Sequence, residues 1–308
     1  MPLPDGASSF VAGEREMPCG SAGRLARKGI GMTVQVTDES GVRRIVIDRP
    51  DRLNAVDVET LVRLGDAVAD AGIDPAVRVI VLSGTGRFFC SGADLAVSDP
   101  TSADATAQTI DAANRLVGIL RSVPRPVVAE IGGPAVGVGV SIALAADLVI
   151  ASADAYFLLP FTSIGLMPDG GATALVAAAA GRAVAMRLFA LGKRMSAHDA
   201  ERYGLIAAAY SADTFAGEFD AIVATIRDGS LDAFVYTKRA VEAATLGHLD
   251  AAFAREREGQ LYLAGRPDFH EALAAFAAKR PPVFNRVPST DASGRSAQNV
   301  LSGDPAVR

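Results

Sequence analysis

The sequence has 308 residues, half of them apolar, and a formal net charge of −5 with an isoelectric point of about 5.3. This acidity argues against a general nucleic-acid binder, because such affinity depends on Lys and Arg neutralising phosphates, but an anionic small ligand held by a few local cations stays compatible. The two cysteines (Cys19 and Cys90) cannot build a disulfide framework or a four-thiolate zinc site, and His198, His248 and His270 show no metal-ligand spacing.

Both ends of the chain are predicted to be disordered. Residues 1–31 mix Gly, Ser, Pro and charged residues without a period, so they form either a disordered extension or a stretch upstream of a start at Met32. Residues 286–308 predict a disordered tail. No signal-peptide core follows the early basic residues, and the longest apolar stretch, 136–150, is short and interrupted by glycine and aspartate. We therefore expect a soluble, cytoplasmic protein without a membrane span.

The first half of the chain alternates predicted strands and helices. Strands over 33–37 and 42–47 flank a turn at 38–41, and a helix follows from Val56, with Asp57 or Asn54 near its start. Further predicted strands are 77–83, 126–131 and 147–151; the helices between them are 110–123 and 140–146, and the polar stretch 98–109 is predicted to be a loop. Alternation of this kind predicts an α/β fold with repeated crossover units.

Beyond Pro168 the pattern becomes helical. The predicted helices are 171–180, 183–191, 197–203, 231–246, 249–264 and 268–279. Because no clear linker interrupts them, we expect one α/β core over residues 32–230 and a C-terminal helical module over 231–285.

Two turns rich in small residues could bind a carbonyl oxygen. They cover residues 90–94, after a predicted buried strand, and residues 135–141, at the start of a helix. Two converging backbone N–H groups there would form an oxyanion hole. Neither turn is specific alone, since Gly137 and Gly139 would equally suit close packing of a helix on a strand. A dinucleotide-binding turn is excluded because Ile142 stands where its third glycine should be.

Five motifs in order resemble the crotonase (enoyl-CoA hydratase/isomerase) superfamily over about residues 32–282. They are IVIDRPDRLNA (45–55), FCSGADL (89–95), GPAVGVG (133–139), IGLMPDGG (164–171) and a C-terminal stretch running from FHEA (269–272) to FAAKRP (276–281). The resemblance implies a spiral of repeated ββα units followed by a helical trimerisation module. It also implies homotrimers, which in that superfamily often pair into hexamers.

The resemblance further implies an acyl-CoA substrate, as in fatty acid metabolism, whose thioester oxygen is bound by the backbone N–H groups of Ala93 and Val138. Such donors stabilise the negative charge of an enolate more than they stabilise the ground state. The other positions implied to contact CoA or the acyl group are Arg52, Leu53, Ala55, Ser91, Gly92, Asp94, Leu95, Gly137, Ser141, Phe161, Phe276 and Lys279. Lys279 is alternatively a solvated lysine at a helix end. No separate cofactor and no metal are expected, because CoA enters as part of the substrate.

The sequence departs from the superfamily at its two catalytic glutamates. These positions fall on Ser141 and Phe161. A serine hydroxyl is a poor general base without a partner, and phenylalanine cannot carry a proton. Ordinary hydration by two glutamates is therefore doubtful.

Asp169 is the candidate that remains for proton transfer. The segment Pro168–Gly171 resembles a branch that includes the phenylacetate-pathway ring isomerase, in which an aspartate moves a proton between carbons. Alternatively, Asp169 is a helix N-cap. Asp94 is expected to bond backbone groups of its own turn. The leading hypothesis is an acyl-CoA isomerase that uses Asp169; the alternatives are a non-catalytic acyl-CoA binder and a hydratase with atypical acid and base groups.

Overall fold

The computed structural model describes residues 33–94 and 102–284. The predictions for residues 1–31, for the tail 286–308 and for Leu95 lie outside these described residues. The strands are β1 (Val34–Glu39), β2 (Val42–Ile47), β3 (Val79–Gly84), β4 (Val127–Ile131), β5 (Ala135–Val136), β6 (Leu148–Ser152), β7 (Tyr156–Leu158), β8 (Met195–Ser196) and β9 (Ala208–Tyr210). The helices are α1 (Val58–Ile73), α2 (Ala103–Ser122), α3 (Val138–Leu144), α4 (Ala172–Leu191), α5 (Ala197–Arg202), α6 (Phe215–Asp228), α7 (Leu231–Thr245), α8 (Leu249–Ala264) and α9 (Pro267–Ala277), with 3-10 turns at Pro50–Arg52 and Phe161–Ile164.

The main sheet has the spatial order β1-β2-β3-β4-β6-β9. The strands β1 and β2 are antiparallel and joined at Ser40 and Gly41, which both have positive φ (49° and 83°), as a tight hairpin requires. All later pairings in this sheet are parallel, so the predicted α/β class is confirmed. The crossover segments place helices on the sheet, which explains why its inner strands are buried.

A second, smaller sheet has the order β5-β7-β8. The strand β5 follows β4 closely and β7 follows β6 closely, and β5 and β7 pair in parallel. The β4–β5 segment and the β6–β7 segment therefore each contribute one strand to the main sheet and one strand to the smaller sheet before the chain continues into a helix. This repeat is the spiral of ββα units that the resemblance implied.

Some predicted boundaries were wrong. The helix α2 begins at Ala103, so residues 103–109 of the predicted loop are helical, and residues 98–101 of it lie outside the described residues. The Ser102 side chain accepts a hydrogen bond from Ala105 N and caps an alanine-rich first turn. The helix α6 was not predicted. Its Phe215, Phe219 and Val223 cover the face of the sheet opposite the main core.

The start of α1 is settled in favour of Asp57. Its Oδ1 accepts a hydrogen bond from Thr60 N at 2.8 Å, as an N-cap does. Asn54 is fully buried with positive φ, and its side chain instead donates to the backbone carbonyls of Thr85 and Phe88. This holds the loop before α1 against the segment that leads into the first glycine turn.

The helix α4 is the one described helix that is long and apolar enough to cross a membrane. Gly181, however, has non-helical backbone angles (φ 78°, ψ 164°) and divides it into two pieces, as the separate helices predicted over 171–180 and 183–191 anticipated. Neither piece approaches the ~20 residues that a membrane-spanning helix needs.

Candidate active site

The two glycine-containing turns lie side by side. Val136 N donates to Cys90 O at 2.9 Å, and Cys90 and Ala135 form an isolated parallel bridge. A Cβ added to Gly92 (φ 103°) would lie 3.2 Å from Val136 O, and one added to Gly137 (φ 56°) would lie 3.8 Å from Gly92 Cα. Glycine at both positions therefore allows a close approach of two backbones that a side chain would separate.

Some backbone N–H groups in and beside these two turns donate hydrogen bonds within the fold, and others do not. Asp94 N donates to Val56 O at 2.9 Å, and Gly137 N donates to Leu158 O at 2.8 Å. Within the described part of the chain, the N–H groups of Ala93 and Val138 donate no hydrogen bond. Since most backbone N–H groups in a fold are paired, two unused donors on adjoining turns make a candidate site for an oxygen atom.

The Asp94 carboxylate, next to Ala93, is nearly buried and binds a distant partner that the sequence analysis did not anticipate. Arg49 Nη2 lies 2.8 Å from its Oδ2 and 3.1 Å from Asp57 Oδ2, and Arg52 Nη1 lies 3.8 Å from Asp94 Oδ1. A lone carboxylate here would oppose negative charge on an oxygen held by Ala93 N. The positive guanidinium of Arg49 offsets the negative charge of the Asp94 carboxylate.

Ser141 and Phe161 both lie near the start of α3. Ser141 is fully buried, and its Oγ donates to the backbone carbonyl of Asp169 at 2.8 Å. Phe161 is 6% exposed, and its Cζ lies 4.0 Å from a Cβ placed on Gly137. Ser141 is thus a structural hydroxyl and Phe161 an apolar ring, at the two positions where the resemblance led us to expect glutamates.

Asp169 lies in the loop between the Phe161–Ile164 turn and α4. Its Oδ2 accepts a hydrogen bond from Gln260 Nε2 at 3.1 Å, whereas its Oδ1 is shielded from solvent and has no partner among the described residues. Burial, and secondarily the negative charge of Glu256, raise the pKa of Asp169 to about 7, and the bond from Gln260 opposes that rise. The loop packs on α3, since a Cβ on Gly170 would lie 3.2 Å from Val138 Cγ2.

The alternative that Asp169 caps a helix is wrong, because another carboxylate does so. Gly171 N and Thr173 N, at the start of α4, donate to Glu256 at 2.6 and 2.8 Å. The side chain of Asp169 makes no cap hydrogen bond to α4. Sequence analysis missed Glu256 and Gln260. The available signal was two polar residues four apart, and hence on one face, within the buried stripe of α8.

The positions implied for CoA contacts fall in two places. Leu53, which has a left-handed backbone (φ 53°), accepts a hydrogen bond through its carbonyl from Ser91 N, so the turn containing Arg52 lies against the first glycine turn. The next residue but one, Ala55, is almost buried. Phe276 is 83% exposed and Lys279 follows it at the end of α9, a helix that packs on α8 and on the Phe161–Ile164 turn.

A metal site is not evident in the fold. Across residues 33–94 and 102–284, no three His, Cys, Asp or Glu side chains are grouped so as to hold a metal ion. The free thiol of Cys90 is buried, and burial raises its pKa to about 12, so it does not offer a thiolate.

Residues 37–287 match the family described as enoyl-CoA hydratase/isomerase. The chain belongs to the enoyl-CoA hydratase/isomerase family. It is 35% identical over 254 residues to 1,2-epoxyphenylacetyl-CoA isomerase of Escherichia coli K12, a match that covers 80% of this chain and 95% of the relative. It is 29% identical over 249 residues to 2,3-dehydroadipyl-CoA hydratase of the same organism, covering 81% of this chain and 97% of that one.

Solved structures of the enoyl-CoA hydratase/isomerase family share the fold. A crystal structure of an enoyl-CoA hydratase from Mycobacterium avium subsp. paratuberculosis K-10 has 45% sequence identity and a TM-score of 0.76, covering 83% of this chain and 99% of that chain. The crotonase fold implied by the five motifs is therefore confirmed. The names of these family members divide between isomerase and hydratase, so the reaction of this member has to be argued from its own residues.

Proposed function

We propose that this protein isomerises a double bond in an acyl-CoA thioester through an enolate whose oxygen is bound by the N–H groups of Ala93 and Val138. The observation that carries the proposal is the buried Oδ1 of Asp169, which has no partner within residues 33–94 and 102–284 and lies in a loop packed on α3, combined with the absence of a carboxylate at Ser141 and Phe161. One carboxyl group suffices for a 1,3-proton shift, because it can take up the proton and return it.

The reaction needs no further reactant. The Asp169 carboxylate removes a proton from C2 of a 3-enoyl-CoA, and the C–H electron pair passes into a dienolate with its negative charge on the thioester oxygen. The two backbone N–H groups bind that oxygen. The protonated Asp169 then returns the proton to C4, which gives a 2-enoyl-CoA and restores the carboxylate.

Asp169 suits this role in two respects. A pKa of about 7 places its acid and base forms in comparable amounts near neutral pH, where a general base with a returning proton works best. Gln260 holds Oδ2, so Oδ1 is the atom left to accept the proton.

Hydration is less well supported. It requires one group to activate water and a second to deliver a proton, but the Ser141 hydroxyl is already donated to the Asp169 carbonyl and Phe161 has no proton to transfer. The same two residues favour a second candidate function, namely acyl-CoA binding without turnover. In either case we propose that Arg52, Leu53, Phe276 and Lys279 contact CoA, with the latter two reaching a neighbouring subunit of a homotrimer.

The test incubates the purified full chain with 3-enoyl-CoA and 2-enoyl-CoA of several chain lengths, and follows double-bond position by the ultraviolet absorbance of the conjugated 2-enoyl thioester and hydration by mass spectrometry. We expect a product of unchanged mass with the double bond moved, and a loss of turnover of about 10²-fold or more in Asp169→Asn. Asp111→Asn, an exposed aspartate on α2 paired with Arg257, is the matched control and should behave as wild type. Unchanged turnover in Asp169→Asn contradicts the mechanism, and a product heavier by one water identifies a hydratase.

A separate measurement distinguishes the enzyme from a binder. In D2O, a saturated acyl-CoA exchanges its C2 protons for deuterium only if the enolate forms. We expect exchange with wild type and none with Asp169→Asn. Tight binding of acyl-CoA by calorimetry without any exchange would establish the non-catalytic alternative.

A further inference from the structure

Glu256 is a fully buried carboxylate that the proposed reaction does not use directly. It lies at the middle of α8, 85 residues along the chain from Gly171, whose N–H donates a hydrogen bond to it. Its two oxygens accept hydrogen bonds from Gly171 N, Thr173 N and Thr173 Oγ1. Such burial is costly for a carboxylate unless several donors compensate for the lost water.

The arrangement of donors indicates which of the two buried carboxyl groups carries a proton. Both Glu256 oxygens face N–H or O–H donors, two of them at the positive end of α4, so Glu256 is best satisfied as an anion. Asp169 has one donor, Gln260, and its second oxygen has none among the described residues. Between two neighbouring carboxyl groups, the one with fewer donors takes up the proton first.

The connection between Glu256 and Asp169 runs through two short paths. Gly171, whose N–H binds Glu256, follows Asp169 by two residues. Gln260, which binds Asp169, follows Glu256 by one helical turn on the same face of α8. Burial raises the pKa of Glu256, whereas its hydrogen bonds from Thr173 and Gly171 and the nearby charge of Arg255 oppose that rise and stabilise the anion.

We infer that Glu256 is a positioning residue for Asp169, holding its loop through the start of α4 and opposing ionisation of the Asp169 carboxyl by its own negative charge. Gln260 acts in the opposite sense on the same carboxyl by donating to Oδ2. The inference rests on the proposed function, in which Asp169 is the group that carries the proton. A general base balanced in this way retains a proton that it can return to C4, whereas an unopposed aspartate would be too weak a base.

The first experiment compares pH profiles of kcat/KM for wild type, Glu256→Gln and Thr173→Val. Glu256→Gln removes the charge, and we expect the acid limb to move down by about one pH unit. Thr173→Val removes one of the three donors to Glu256 but keeps the carboxyl group and the Gly171 and Thr173 N–H donors, so its limb should move much less than that of Glu256→Gln. A limb that stays in place in a folded Glu256→Gln variant, or that moves equally in Thr173→Val, overturns the inference.

The second experiment does not depend on turnover. Infrared titration follows the carbonyl band of protonated carboxyl groups in wild type, with the Asp169 band assigned by its loss in Asp169→Asn. We expect that band to persist to near neutral pH in wild type and to titrate at lower pH in Glu256→Gln. A wild-type midpoint at the ordinary value for aspartate overturns the inference even if Glu256→Gln does not fold. If Asp169→Asn keeps full turnover, the proposed function fails, while the titration still tests how Glu256 acts on Asp169.

Discussion

The hydroxyl of Ser141 donates a 2.8 Å hydrogen bond to the backbone carbonyl of Asp169 and so ties the first turns of α3 to the loop before α4. Ser141 lies three residues after Val138, whose N–H is one of the two proposed donors to the thioester oxygen. The bond therefore links the position of the proposed base to the position of the proposed oxyanion hole.

Replacing Ser141 by alanine should loosen this link without unfolding the protein. The Asp169 carbonyl keeps a second donor, Ala172 N at 3.2 Å, so we expect a loss of only about 1 kcal/mol in unfolding free energy. We expect kcat to fall with little change in KM, because the proton-carrying group is less well placed. Steady-state kinetics and thermal unfolding measure both. Ser122→Ala, an exposed hydroxyl bonded within α2, is the control, and a kcat equal to wild type in Ser141→Ala would count against the link.

The raised pKa of Asp169 predicts a stability effect of definite sign. A carboxyl whose folded pKa (about 7) lies above its unfolded value contributes stability at low pH, and this contribution is lost as pH rises from about 4 through 7. Asp169→Asn cannot ionise, so above pH 7 it should be more stable than wild type, by on the order of 4 kcal/mol, with the difference vanishing near pH 4. Denaturant unfolding at several pH values measures this difference. A stability difference between variant and wild type that stays constant from pH 4 to pH 8 would contradict the raised pKa of Asp169.

Gly92→Ala should separate the two turns that carry the proposed oxyanion donors. The new Cβ would lie 3.2 Å from Val136 O, at a φ of 103° that side chains rarely adopt. We expect kcat/KM to fall by about 10²-fold or more, as when one oxyanion donor is lost. Gly204→Ala places a similar strain (φ 74°) at the end of α5 and controls for stability alone. Equal activity losses in the two variants would mean that backbone strain, and not the site, is responsible.

The buried pair of Lys238 and Asp147 should matter for stability and not for chemistry. Lys238 Nζ lies 3.0 Å from Asp147 Oδ2 and also donates to Leu120 O, and both side chains are less than a tenth exposed. Lys238→Met leaves Asp147 buried without its cation, so we expect a loss of about 3–5 kcal/mol. Arg257→Met breaks an exposed pair with Asp111 and should cost less than about 1 kcal/mol. Chemical denaturation compares the two, and similar losses would show that burial does not control the strength of these pairs.

Local sequence patterns predicted the elements that are long enough to show a regular pattern of buried residues. The helix over 249–264 was predicted with the boundaries that α8 has, and the break of α4 near Gly181 was anticipated. The short strands β5 and β7 were missed because two or three residues carry no period. The helix α6 was missed although its apolar residues recur at helical spacing, and its partners on the far face of the sheet became evident only in the fold.

The sequence alone determined the family and the two glycine turns, and it placed a serine at 141 and a phenylalanine at 161, because each of these depends on residue identity at fixed spacing. Tertiary structure decided the raised pKa of Asp169, since this pKa depends on burial in the fold and on the charge of Glu256, which lies on a distant helix. It also decided which carboxylate caps α4 and which cation pairs with Asp94. Hydrogen bonds and charges act through space over a few ångströms, and residues brought together from distant parts of the chain leave no local pattern that reveals their pairing.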